Sequence, residues 1–159
     1  MSENMVPMED YLADCWAALK DRARYMALVV QELDARGLET DDIISTAILK
    51  YGREVGEKAG QIDGADEFIK SQMSSRLGRL TFKTERGEMT NERAVLKTNH
   101  CPLVEVWKEM GLSDDQVVRM CDLFENRDEG RVEAAGIKLD VPKTIARGDP
   151  ICKFIFTKE

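Results

Sequence analysis

Arg93-Ala94-Val95-Leu96-Lys97-Thr98, then Asn99-His100-Cys101, then Pro102-Leu103-Val104-Glu105-Val106-Trp107-Lys108-Glu109-Met110-Gly111, puts two kinds of pattern into one short stretch. The first block is short and rich in apolar and β-branched residues between polar neighbours, as a strand requires. Pro102 then stands where proline is tolerated, in the first turn of a helix, and Leu103, Val106, Trp107 and Met110 make an apolar stripe that stops at Gly111. A strand that hands over directly to a helix, behind a first half that reads as helix, predicts an α+β fold. The expected architecture is a helical N-terminal half packed with a small antiparallel sheet and further helices in the C-terminal half.

Moving toward the N-terminus, Leu12, Cys15, Trp16, Leu19, Ala23, Met26, Val30 and Leu33 recur at spacings of three and four between Met8 and Arg36. Gly37 supplies a left-handed helix end, and Thr40-Asp41-Asp42 a start for a second helix burying Ile43, Ile44, Ala47, Ile48, Tyr51 and Val55. After the break at Gly60 to Gly64, a third helix is predicted from Asp66 to Leu80. Leu80 to Thr84 reads as a strand, joined through a turn at Glu85-Arg86-Gly87-Glu88 to the strand Arg93 to Thr98 as a hairpin.

Toward the C-terminus, Ser113-Asp114-Asp115-Gln116 fits a capping box, and Val117, Val118, Cys121 and Phe124 define the buried face of the helix it starts. The helical signal fades after Asn126 to Gly130, where acids at Asp128 and Glu129 suit a helix end poorly. Ile137 to Val141 alternates as a half-buried strand, and Pro142 ends it or marks an edge. Ile151 to Phe156, behind Gly148-Asp149-Pro150, places Cys152, Phe154 and Phe156 on one face of a last strand. One domain over 1–159 is expected, helical over 8–80 and mixed over 80–157.

The 159 residues are 43% hydrophobic and 33% charged, the balance of a folded globule. A net charge of -7 argues against nucleic acid or an anionic membrane as the partner and leaves a small molecule or a protein. No apolar run approaches the roughly 20 residues of a bilayer span. Met1-Ser2-Glu3-Asn4 is acidic and polar where a signal peptide is basic and then apolar, so the expected location is cytoplasmic. Four cysteines are then expected as thiols, and a single histidine leaves few places for proton transfer.

The candidate site follows from where these residues fall. Cys101 precedes a helix start, where free amides and the helix dipole stabilise a thiolate; the alternative is a buried cysteine acting as a small hydrophobe. His100 is next to it in sequence, although neighbours on an extended chain project to opposite sides. Cys101, Cys121 and Cys152 fall at an element boundary or on inward faces, compatible with one shared point. With His100, Asp149 or Asp140 they would compose a tetrahedral zinc set; separate core positions are the other reading. Asp149 sits in the tight loop Arg147-Gly148-Asp149-Pro150, as an acid beside the last strand or as a turn former. Cys15 reads as helix packing.

Cys101-Pro102-Leu103 leading into Trp107 and Gly111-Leu112, then Cys121-Asp122, then Ala146-Arg147-Gly148-Asp149 with Cys152-Lys153-Phe154, resembles the L-2-amino-thiazoline-4-carboxylic acid hydrolase family. The resemblance implies a hydrolase that adds water to the amidine-like carbon of a small ring and expels the ring sulfur, leaving an N-carbamoyl amino acid. Under it, Cys101 would be nucleophile or metal ligand with Cys152 in the same site, His100 a proton shuttle, and Asp149 an orienting acid or base. Arg147 would meet a substrate carboxylate. The C-terminal half is also similar to the 4-vinyl reductase type of small-molecule-binding domain. That second likeness implies cysteines that can hold zinc. In the competing reading, a non-enzymatic binding or sensing domain, the apolar faces around Trp107, Phe154 and Phe156 form a pocket and the cysteines hold zinc or merely pack. A third expectation is self-association through the N-terminal helices.

Overall fold

The computed structural model describes residues 5–159. Met1 to Asn4, on which the signal-peptide argument drew, lie outside the described residues. Helix α1 spans Met8–Ala35 and buries Ala23, Ala27 and Val30. Helix α2 spans Thr40–Lys58 and departs from its expected face: Ile44 is buried and Ile48 and Val55 are half-buried, but Ile43, Ala47 and Tyr51 are exposed. Gly52 and Gly56 take the buried places instead.

Their partner is helix α6, Asp114–Ala135, which carries the Ser113–Gln116 capping box and ends at Gly136 with φ 64°. A Cβ on Gly52 would lie 3.1 Å from the Arg127 Cα, and one on Gly56 only 2.7 Å from the Ala134 Cβ. Gly130 of α6 returns the contact, since its Cβ would meet the Gly52 carbonyl carbon at 3.0 Å. Two helices that touch backbone to backbone need glycine at the crossing, and a search for apolar side chains passes over it. The expected fading of α6 at 126–130 is corrected for the same reason. Burial against α2 carries the helix through Gly130, a poor helix former, and on to Ala135.

The single helix expected over 66–80 is two. Helix α3 covers Ala65–Gln72 and α4 covers Arg76–Phe82. The break falls at Met73-Ser74-Ser75, where the Ser74 hydroxyl donates to the Ile69 carbonyl at 2.7 Å and the Ser75 hydroxyl accepts from the Gly78 amide at 3.0 Å. Serines that satisfy helix ends compete with continuation. Leu80 to Phe82, expected as strand, is the last turn of α4, and Lys83 reverses the chain at φ 50°. Strand β1 is therefore Thr84–Met89, and the expected turn at 85–88 lies inside it.

Strand β2 is Arg93–Thr98, and α5 follows as Pro102–Glu109 with Pro102 in its first turn. Strands β3, Ile137–Lys143, and β4, Cys152–Lys158, complete a four-stranded sheet of order β1-β2-β4-β3 with antiparallel pairing throughout. Pro142 sits on the edge strand β3, where the pairing with β4 shifts register between Asp140 and Lys143. With six α-helices beside this sheet among the described residues, the fold is α+β.

Two apolar clusters form. One joins α1, α5 and the first half of α6 around Ala27, Val106, Trp107, Val117 and Met120. The other joins α3, the sheet and the end of α6 around Phe68, Ile69, Leu96, Val132 and Phe156. No helix among the described residues is long and apolar enough to cross a membrane.

Candidate functional site

Cross-strand pairing builds the floor of the site. Leu96 of β2 faces Phe154 of β4, and Thr98 faces Cys152, so these four side chains share one face of the sheet. Farther along the same face, Ala94 and Phe156 are paired and wholly buried against Phe68. At the Thr98–Cys152 end the helices stand off. They leave a cavity of about 400 Å³ between the two apolar clusters, within the range of ligand sites.

Met26 of α1, Ile48 of α2, Met73 after α3, Phe82 of α4 and Leu103 of α5 contribute apolar wall. Cys101, Cys121 and Cys152 all line this cavity. Among the described residues, however, no three His, Cys, Asp or Glu side chains are grouped so as to hold a metal ion. The donor set expected for zinc is not assembled there: Cys101 stands at the start of α5, Cys121 on α6 and Cys152 on β4.

Burial pushes the Cys101 thiol up to about 11, although the Val104 and Leu103 amides at the start of α5 pull the other way. The expected lowering by the helix start is real in sign and smaller than desolvation. Burial raises Cys121 well above the ordinary thiol range, with Cys101 and Cys152 adding to it, and raises Cys152 despite the Ile145 amide 3.3 Å from its sulfur.

The other expected site residues lie elsewhere. His100 does not line the cavity. Its Nδ1 faces the Thr81 carbonyl at 3.0 Å, its Nε2 faces the Glu105 carboxylate at 3.1 Å, and its ring meets Trp16 edge to face. Both ring nitrogens are engaged by these partners and not by Cys101. Trp107 is 1% exposed, and its Nε1 donates to the Ala23 carbonyl at 3.1 Å, so it is core.

Asp149 accepts from the Thr144 amide at 3.0 Å and its own amide donates to the Thr144 carbonyl at 3.2 Å, closing the loop around the 3₁₀ turn Ile145–Arg147. Arg147 pairs with Asp122 at 2.6 Å on the surface. Of the residues singled out in sequence, the fold brings Cys101, Cys121, Cys152 and Phe154 together at the cavity and leaves His100, Trp107, Arg147 and Asp149 outside it.

One face of α6 supplies what was missed. Cys121, Phe124, Glu125, Asp128 and Arg131 recur at spacings of three and four, so all five line the cavity. A helical signal that fades after the stretch 126–130 leaves Arg131 off this row. Burial first, then the charges of Asp122, Glu129 and Asp128, lift the Glu125 carboxyl to about 7. A carboxyl so placed exchanges a proton near neutral pH, which the thiols do not.

None of the curated proteins matches the chain. A crystal structure of trafficking protein particle complex subunit 3 from Naegleria fowleri, covalently bound to palmitic acid, is similar over 88% of this chain and 96% of that one, at 14% identity and a TM-score of 0.45. The family model described as L-2-amino-thiazoline-4-carboxylic acid hydrolase matches residues 19–156, most of the chain and every wall of the cavity, and the chain belongs to that family.

Proposed function

We propose that the chain is a hydrolase that opens a small cyclic amidine, with Glu125 moving the proton. The observation that carries this reading is a carboxyl raised to about 7 on the wall of a cavity that also carries apolar side chains and three thiols. General bases work best when their pKa lies near the operating pH. In its ionised form Glu125 takes a proton from water as the oxygen bonds to the amidine-like carbon. The C=N electron pair moves onto the ring nitrogen; as the C–S bond breaks, the remaining hydroxyl proton passes to that nitrogen, the C=O forms, the ring sulfur leaves with its electron pair, and the proton held by Glu125 returns to the leaving thiolate. Ring and water together become an N-carbamoyl amino acid bearing a free thiol, so the step needs no oxidant or second substrate.

Cys101, Cys121 and Cys152 enter as neutral thiols that line the walls. A thiol at about 11 is only about one part in 10⁴ thiolate at pH 7, too little for the nucleophile role. No step is routed through zinc, because the donors do not fit it.

Incubation with L-2-amino-thiazoline-4-carboxylate, followed by mass detection of N-carbamoyl cysteine, tests the reading. The expected result is turnover that falls by about 10²–10⁴ in Glu125→Gln and survives within a few fold in Cys101→Ser. Turnover that survives Glu125→Gln overturns the assignment of the base. No ring-opened product from the unaltered protein overturns the hydrolase reading in favour of a binding domain.

A further inference from the structure

Five charged side chains line the cavity: Arg22 of α1 and Glu125, Arg127, Asp128 and Arg131 of α6. Three positive charges against two carboxylates leave one unmatched even when Glu125 is ionised. The imbalance is local and opposite in sign to the chain as a whole, whose net charge is -7.

Arg131 is 8% exposed, and its Nε is the one buried side-chain nitrogen or oxygen without a hydrogen-bond partner among the described residues. Its Nη2 donates to the Gln72 carbonyl at 2.8 Å. Its Nη1 has Asp128 at 3.3 Å and the Met73 sulfur at 3.2 Å. A thioether is a weak acceptor on a flexible stem, so a better acceptor readily displaces it. A buried guanidinium left incompletely satisfied is costly, which points to a ligand that completes it.

Arg22 and Arg127 take part in none of the ion pairs found among the described residues. The Arg127 guanidinium lies over the Tyr51 ring, 5.8 Å from its centre. Burial, together with the Arg127 charge, disfavours the charged forms of both Arg22 and Arg131, so each of the two lies within the field of Arg127.

We infer that Arg22, Arg127 and Arg131 form the anion-binding end of the cavity and take the carboxylate of an amphipathic small molecule, whose apolar body lies among Met26, Ile48, Phe124 and Phe154. This rests on the proposed function only in taking the same cavity as the substrate site. A monocarboxylate matches the single unmatched charge, whereas a phosphate dianion overshoots it. Guanidinium forks suit the two oxygens of a carboxylate. The cavity of about 400 Å³ leaves room for such an apolar body beside the carboxylate.

Calorimetric titration of the full chain with 4-phenylbutyrate, 4-phenylbutan-1-ol and 3-phenylpropyl phosphate tests this. The carboxylate is expected to bind at least about tenfold more tightly than the alcohol. Arg22→Gln and Arg127→Gln, at less buried positions than Arg131, are each expected to remove most of that preference and leave the alcohol unaffected. Arg147→Gln, outside the cavity, is expected to change neither. Equal binding of acid and alcohol, tighter binding of the phosphate, a preference that survives both arginine variants, or no binding of any probe at millimolar concentration overturns the inference. Carboxylate preference without ring opening leaves it standing and sinks the hydrolase reading; ring opening without carboxylate preference does the reverse.

Discussion

Gly56 of α2 lies against the backbone of Arg131 of α6, so that a Cβ on the glycine would come 2.9 Å from the Arg131 carbonyl oxygen. The contact holds the cavity face of α6 at a set distance from α2. Alanine at residue 56 gains about 1 kcal/mol in helix propensity, but it must push apart two backbones that cannot yield as a side-chain tip does. Gly56→Ala is expected to lower stability by about 1–3 kcal/mol net in urea unfolding. It is also expected to weaken carboxylate binding, because it displaces Arg131.

Glu125 makes stability depend on pH with an unusual sign. Its carboxyl is raised from 4.5 to about 7 on folding, so between those values the folded chain holds a proton that the unfolded chain has released. Stability therefore falls as pH rises through this window and levels off above it, by up to about 3 kcal/mol. Glu125→Gln should flatten the profile between pH 5 and 8, read from denaturation midpoints. A wild-type profile already flat there contradicts the raised carboxyl.

The cavity thiols should be sluggish. Cys101, Cys121 and Cys152 are held neutral by burial, so iodoacetamide at pH 7 is expected to modify all three at least about tenfold more slowly than a free thiol. Peptide mapping after timed quenching reads this directly. In denaturant the three should converge on the rate of an unstructured cysteine.

Arg119 fastens α6 to the α1–α2 corner. It donates to both Asp34 oxygens at 2.7 and 2.8 Å and to Asp41 at 2.8 Å, and the Arg119 guanidinium holds the Asp34 carboxyl down at about 2. The stabilisation is fully present above the unfolded value of 3.8 and is lost as pH falls through the folded value of about 2. Because both side chains are partly exposed, Asp34→Asn is expected to cost only about 1 kcal/mol at pH 7 and progressively less as pH falls through that window.

His100 and Trp16 share one acceptor, the Thr81 carbonyl at the end of α4, at 3.0 and 2.9 Å. His100→Ala should therefore lower stability by about 1 kcal/mol and leave ring opening within a few fold. A loss of turnover as large as that of Glu125→Gln would return His100 to the reacting centre.

Strand β2, helix α5 with its leading proline, the capping box of α6 and the inward face of β4 were legible because each follows from local rules: side-chain period, backbone restriction, end capping. The inward placement of Cys121 and Cys152 came with them. Arg131 and Glu125 were not legible, since surface and cavity arginines look alike in sequence, and their row is visible only once α6 is known to continue past Gly130. That continuation depends on Gly52 and Gly56, residues that lower helix propensity where they stand and allow a backbone contact with α6 that a Cβ would block.

By itself the sequence determined the α+β class, the antiparallel pairing and a thiol-bearing second half, because hydrophobic periodicity is a property of neighbours along the chain. The tertiary structure decided that the thiols stay protonated, that His100 and Arg147 turn away, and that three arginines outnumber two acids around one cavity. Desolvation and charge balance are properties of neighbours in space.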